Sequence, residues 1–203
     1  MLHERRTPED LLERARSGDR EAFGQLLTHY HNYVQLIART LLGTTLRLRL
    51  DSSDLVQEAL MEAHRDFPQF AGSSEQELLA WFRQILARNL ADHARYQKAG
   101  LRDHRRHQSL ESLLEQSSLS VQEALAATAS TASAVAARRE RAVLLADALA
   151  GLPPDHREVV ILRNLEGLRF NEVATRMGRS SGAVRMLWAR AIERLSEALE
   201  GLS

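Results

Sequence analysis

Cysteine is absent from the 203-residue chain, which excludes disulfides and thiolate metal sites and fits a reducing compartment. Proline is scarce, at four residues, and aromatics make up 5% against 44% hydrophobic residues overall. With leucine and alanine filling most apolar positions, this favours an all-helical protein. Neither sign of charge is in excess, 27 basic residues facing 27 acidic ones. Duplex affinity comes largely from phosphate neutralisation and counterion release, so a neutral chain is expected to bind free DNA weakly. Lysine is nearly missing, Lys98 being the sole basic residue that is not arginine. No run approaches the roughly 18 apolar residues of a membrane span, and Met1 to Arg6 leads into no apolar segment of signal-peptide type. A soluble cytoplasmic protein without membrane contact is expected. The pairs His29/His31 and His104/His107 lack an evident third ligand, and no glycine-rich phosphate loop is visible. No metal, cofactor or catalytic residue is expected, and the chain does not read as an enzyme.

What is present is helical periodicity. Thr7-Pro8-Glu9-Asp10 predicts a capped helix start and Gly18 its end. Asp19 then caps a longer helix whose apolar face runs through Ala22, Phe23, Leu26, Leu27, Tyr30, Val34, Ile37, Ala38 and Leu41. Residues 43–51 read as an irregular connection. A third helix from Ser52 to Phe67 has two faces: Val56, Leu60, Ala63 and Phe67 for the core, and Asp54, Gln57, Glu58, Met61 and Arg65 opposite. After a loop over 68–74, Ser74 and Glu77 make a capping box for a long helix carrying Leu78, Leu79, Trp81, Phe82, Ile85, Leu86 and Leu90. These four helices have the size of one bundle.

The next stretch changes character. Arg102, Arg105 and Arg106 with His104 and His107 form a basic patch, and Ser109 to Ala137 is rich in serine, alanine and threonine, a composition that predicts a flexible linker with a short helix over 121–127. A second module is expected from 138, with Ala142, Val143, Leu145, Ala146 and Leu149 on a helix capped by Gly151, then Val159, Val160, Leu162 and Leu165 on another.

The last third is the most specific. Phe170, Val173, Ala174 and Met177 follow helical spacing up to Gly178, and after a short turn Val184, Leu187, Trp188, Ala191 and Leu195 cluster in one apolar sector. This is a helix-turn-helix pattern. Gly182, Met186, Ala189 and Glu193 point the other way, flanked by Arg185 and Arg190. Small residues between two arginines suit a helix entering a major groove, and Ser180 or Ser181 is placed to cap its N-terminus.

Two helical modules in this order resemble a bacterial RNA polymerase sigma factor of the sigma-70 family, in the extracytoplasmic-function (ECF) subfamily that keeps regions 2 and 4. Asp54-Leu55-Val56-Gln57-Glu58 and the helix from Trp81 to Arg95 resemble region 2, while Leu152-Pro153-Pro154, Glu166-Gly167-Leu168, Glu172-Val173-Ala174, Gly178, Val184-Arg185 and Arg190-Ala191 are similar to region 4. The resemblance implies a region 2 domain over 1–98, a linker over 99–137 and a region 4 domain over 138–203. Its partners would be core RNA polymerase, through the clamp coiled coil of the largest subunit and the flap, promoter DNA, and an anti-sigma factor. It implies that Asp54, Gln57 and Glu58 bind the polymerase, that Phe70, Ser73, Ser74, Trp81, Arg88 and Asn89 contact the −10 element, and that Ser180, Ser181, Arg185, Met186, Ala189 and Arg190 contact the −35 element. Ala183 and Leu187 depart from the threonine and basic residue common in the family, so promoter preference does not carry over. The alternative is a conventional helix-turn-helix regulator that binds an operator without polymerase, its N-terminal module serving for ligand binding or dimerisation.

Overall fold

A computed structural model describes residues 7–44, 50–99 and 133–201. All regular elements among them are helices, and the chain divides into two compact units, Met1–Leu114 and Glu115–Ser203. The expected basic patch over 102–107 and short helix over 121–127 lie outside the described residues, as does most of the irregular connection over 43–51.

The first unit opens with α1 (Pro8–Arg16), where Thr7 and Asp10 exchange reciprocal backbone-to-side-chain hydrogen bonds of 3.3 Å. Gly18 turns the chain at a φ of 95°, a left-handed conformation that costs glycine little. Asp19 then accepts from the N–H groups of Glu21 and Ala22, both at 3.0 Å, and pairs with Arg14. The Ala22 N–H first, and the Arg14 hydrogen bond second, hold its carboxyl below the usual range. This starts α2 (Arg20–Thr44), which buries Phe23, Leu26, Tyr30, Tyr33, Val34, Ile37 and Leu41. Thr40, buried among them, donates its hydroxyl to the Leu36 carbonyl at 2.8 Å.

Asp51 caps α3 (Ser52–Asp66) by accepting from the Ser53 N–H at 2.9 Å. The buried residues are Leu55, Val56, Ala59 and Ala63, while Leu60, expected in the core, is half-buried. α3 is wedged between α2 and α4 (Glu75–Ala99), so both its flanks are covered and its buried sector is turned from the single stripe that periodicity predicts. A 3₁₀ turn, Phe67–Gln69, follows, and the Phe67 ring stacks on Phe23 with centroids 3.9 Å apart. α4 buries Leu78, Leu79, Phe82, Ile85, Leu86, Ala87 and Leu90. Two phenols tie it to α2: Tyr30 Oη donates to Glu75 Oε1 at 2.8 Å, and Arg83 donates to Tyr33 Oη at 3.0 Å. Burial first, and the Glu75 charge second, push the Tyr30 phenol well above its ordinary value.

The second unit starts with α5 (Ser133–Gly151), ahead of the boundary expected at 138. Gly151 is not a left-handed cap but the last residue of this helix. The helix end is satisfied otherwise: the Arg157 guanidinium donates to the carbonyls of Leu149 at 2.9 Å and Leu152 at 3.1 Å, which supplies the donors that the terminal carbonyls need. α6 (Pro154–Val160) passes into a π-helical turn, Ile161–Leu165, closed by Glu166 N–H to the Ile161 carbonyl at 2.9 Å. Gly167, at a φ of 70°, redirects the chain into α7 (Phe170–Met177), and Gly178 ends that helix at a φ of 63°. Last comes α8 (Ser181–Glu200), which buries Val184, Ala191 and Leu195. No helix among the described residues is long and apolar enough to cross a membrane.

Because the Tyr30–Glu75 hydrogen bond joins α2 to the start of α4 from a fully buried ring, Tyr30→Phe is expected to destabilise the first unit by about 0.5–1.5 kcal/mol. Urea unfolding of the two proteins checks this, and an unchanged midpoint would contradict it.

Candidate functional site

α3 presents Asp54, Gln57 and Glu58 to solvent beside Met61, whose exposure of 67% is unusual for a large apolar side chain. Two of the helix's carboxylates are engaged from α4: His93 Nε2 lies 2.6 Å from Glu58 Oε2, and Arg88 pairs with Glu62. A groove between the helices is lined in part by Glu58, Met61, Asn89, Asp92, His93 and Tyr96. Arg88 and Asn89, expected to join the −10 contacts, therefore stand with the α3 carboxylates. Among the described residues no hydrogen bond, ion pair or ring contact ties either of them to the 70–74 loop. The reason is the helix period: positions 88 and 89 are about two turns beyond Trp81, alongside the middle of α3 and away from the loop at the start of α4. His93 was missed because nothing in its local sequence marks a partner on another helix.

The loop before α4 is built on aromatic rings and one carboxylate. Phe70 packs on Phe67 and Trp81 at centroid distances of 5.7 and 5.1 Å. Trp81 is half-buried and also meets Phe82 at 5.8 Å. Glu77 Oε2 accepts from the N–H groups of Ser73 at 2.8 Å and Ser74 at 3.1 Å, and from the Ser74 hydroxyl at 2.9 Å, while Ser74 Oγ accepts from the Glu77 N–H at 3.3 Å. The capping box expected at Ser74 is thus present, extended by Ser73. These bonds, led by the Ser73 N–H and then the Ser74 hydroxyl, hold the Glu77 carboxyl below its usual range.

In the second unit α7, the turn after Gly178 and α8 form the expected helix pair. Arg179 N–H reaches the Ala174 carbonyl at 2.9 Å, and Ser180 Oγ accepts from the Ala183 N–H at 3.2 Å. Ser180 is the cap. Ser181 does not share that role: its hydroxyl is buried and has no hydrogen-bond partner among the described residues, because the first helical position turns inward beneath the cap. That hydroxyl is not on the wet face where a −35 contact was expected. Arg185, Met186, Ala189 and Arg190 are all exposed, as the helical wheel requires. The Arg185 guanidinium lies 5.5 Å from the centroid of the Phe170 ring, and Arg163 lies 4.9 Å from it, which limits how far either can swing. Trp188 Nε1 donates to Asn164 Oδ1 at 2.8 Å, tying α8 to the π-helical turn. Phe170 and Asn164 were not singled out for these roles, since each acts on α8, well separated from it in sequence.

A carboxyl held below its ordinary value contributes stability above the unfolded value and loses it as pH falls through the folded one. Glu77→Gln is therefore expected to melt below the wild type at pH 7, with the gap closing once the solution is more acidic than about pH 4.5, the ordinary glutamate value. Thermal midpoints between pH 7 and 3 check this; a gap that persists undiminished in acid would contradict it.

The ECF sigma factor family model matches residues 7–201, across both units. A probable RNA polymerase sigma factor, RfaY of Xanthomonas campestris, is 33% identical over 181 residues, covering 89% of this chain and 41% of its own length. The ECF RNA polymerase sigma factor SigM of Mycobacterium tuberculosis is 30% identical over 199 residues, covering 97% of this chain and 86% of its own length. A solved RsbN–BldN complex matches 93% of this chain and 99% of that chain at 24% identity, with a TM-score of 0.31. The chain thus spans less than half the length of RfaY and most of that of SigM. With that family model matching residues 7–201, the chain belongs to the ECF sigma factor family.

Proposed function

We infer that this chain is a transcription initiation subunit, one that binds core RNA polymerase and directs it to −10 and −35 promoter elements while assisting promoter melting. The observation that carries the reading is that one helix in each unit presents polar side chains outside its buried core. Asp54, Gln57 and Glu58 are exposed on α3, and Arg185, Met186, Ala189 and Arg190 on α8, while each helix buries its opposite side. The acidic and amide side chains of α3 suit arginines of a polymerase coiled coil, which bind carboxylates bidentately. The α8 face suits a major groove, its arginines pairing with guanine edges or phosphates.

The first unit would be the region 2 domain and the second the region 4 domain, joined by a linker. The loop over 70–74 and the start of α4 would hold the opened −10 strand, and capture of an unstacked base offsets melting costs of about a few kcal/mol. No bond is made or broken by this subunit. The work would take place in the cytoplasm, where the polymerase is, and the exposed faces would equally be open to an anti-sigma factor. A balance of 27 basic against 27 acidic residues fits a subunit that reaches DNA as part of a holoenzyme.

A gel shift with and without core enzyme tests the reading. Specific promoter binding is expected only with core present, whereas stable specific binding by the chain alone, unchanged by core, would identify a conventional regulator. Two substitutions sharpen it. Arg185→Ala is expected to weaken transcription from a promoter dependent on its −35 element by about 1–3 kcal/mol without altering helicity, and undiminished transcription would contradict the contact. Asp54→Arg with Glu58→Arg is expected to abolish retention by core in a pull-down; unaltered retention would remove α3 from the interface.

A further inference from the structure

We propose that His93 is a positioning residue for polymerase binding: from α4 it holds one carboxylate oxygen of Glu58, so that the other stands fixed and still charged for a guanidinium of the partner. This rests on the reading above that α3 meets core polymerase, in which His93 has no part.

α4 reaches the carboxylates of α3 in two different ways. Glu62 is covered, its side chain 15% exposed, and Arg88 pairs with it while Arg65 stands 3.8 Å away. With two guanidinium groups at hand, its charge is answered within the unit and little is left for a partner. Glu58, one turn earlier, keeps half of its side chain in solvent. Its Oε2 lies 2.6 Å from His93 Nε2, and its Oε1 makes no hydrogen bond among the described residues.

The donor's chemistry decides what that contact does. An ionised carboxylate only accepts, so the proton of this bond sits on the imidazole. A neutral imidazole keeps the proton it donates, and so orients the carboxylate without cancelling its charge. An arginine in the same place would orient and neutralise it together, as Arg88 does at Glu62. Oε1 therefore keeps its lone pairs for an incoming guanidinium. The anchor is firmer than the chain it holds, since His93 is half-buried in the α3–α4 groove with Asn89, Asp92 and Tyr96 around it. A glutamate loose on a helix surface must lose its rotamer freedom when a partner takes it, whereas Glu58 is ordered before the partner arrives. An exposed pair of this kind contributes little to stability, so its main effect is on binding.

The test is competition between the full chain and a fluorescently labelled wild-type chain for purified bacterial core polymerase, at about pH 8, where an imidazole is ordinarily neutral. His93→Ala is expected to bind core roughly fivefold less tightly, the order of effect of leaving one flexible side chain to be immobilised on binding. His93→Gln, whose amide is neutral and still donates, should recover most of that loss. His93→Arg, which can reach Glu58 but brings a positive charge, should not. With Glu58→Ala already in place, His93→Ala should lower core affinity no further. A bond that served only to pack α4 on α3 would be restored by arginine as well as by glutamine, and its loss would be felt whether or not Glu58 meets the polymerase. Wild-type affinity for His93→Ala, recovery by arginine, or a fivefold loss that persists beside Glu58→Ala would each overturn the proposal. A wild-type chain that core does not bind would overturn the function reading itself. Undiminished affinity of Glu58→Ala alone would remove Glu58 from the interface and leave the function reading standing, and it too would overturn the proposal.

Discussion

α3 is held from both sides, and most of what the first unit offers to a partner follows from that. Ala59 and Ala63 are small enough for α2 and α4 to close on its flanks, and Leu55 and Val56 complete the buried sector. Only one sector of the helix stays outside, and it carries Asp54, Gln57, Glu58 and Met61. Their types are therefore not dictated by the core. A carboxylate on a wet helix face contributes little to stability. In the first unit this face is the best place to look for selection by a partner.

The second unit reaches a similar division by different means. Left-handed glycines at 167 and 178 set the directions in which α7 enters and leaves. Asn164 and the Phe170 ring then fix Trp188 and Arg185 from outside α8. An arginine resting on an aromatic face has already given up part of its rotamer freedom, so less remains to be lost when it meets an anion. Arg157 serves instead as a staple, its guanidinium spent on the carbonyls at the end of α5.

Much of this was legible in the sequence wherever the physics is local. The caps at Thr7, Asp19 and Ser74, the left-handed end at Gly178 and the outward face of α8 all follow from residues within one or two turns of each other. Interactions that bridge distant segments were not legible. The rotation of α3 that exposes part of Leu60, the pairing of Glu58 with His93, and the Arg157 staple each depend on which helix lies next door, which periodicity does not report. Ser181 shows the same limit on a smaller scale. Its type suits a cap, and only the path of the turn decides that Ser180 takes the role. The site residues divide accordingly: Asp54, Gln57, Arg185 and Arg190 lie where a helical wheel puts them, whereas Arg88 pairs with Glu62 and Asn89 lines the α3–α4 groove.

The central claim is that exposed faces left over from two helical cores act together only on a polymerase. It is tested most directly by sequencing the 5′ ends of RNA made from genomic DNA by core polymerase with and without the chain. New start sites sharing one pair of upstream elements should appear only when the chain is added. An identical set of start sites in both reactions would contradict the claim.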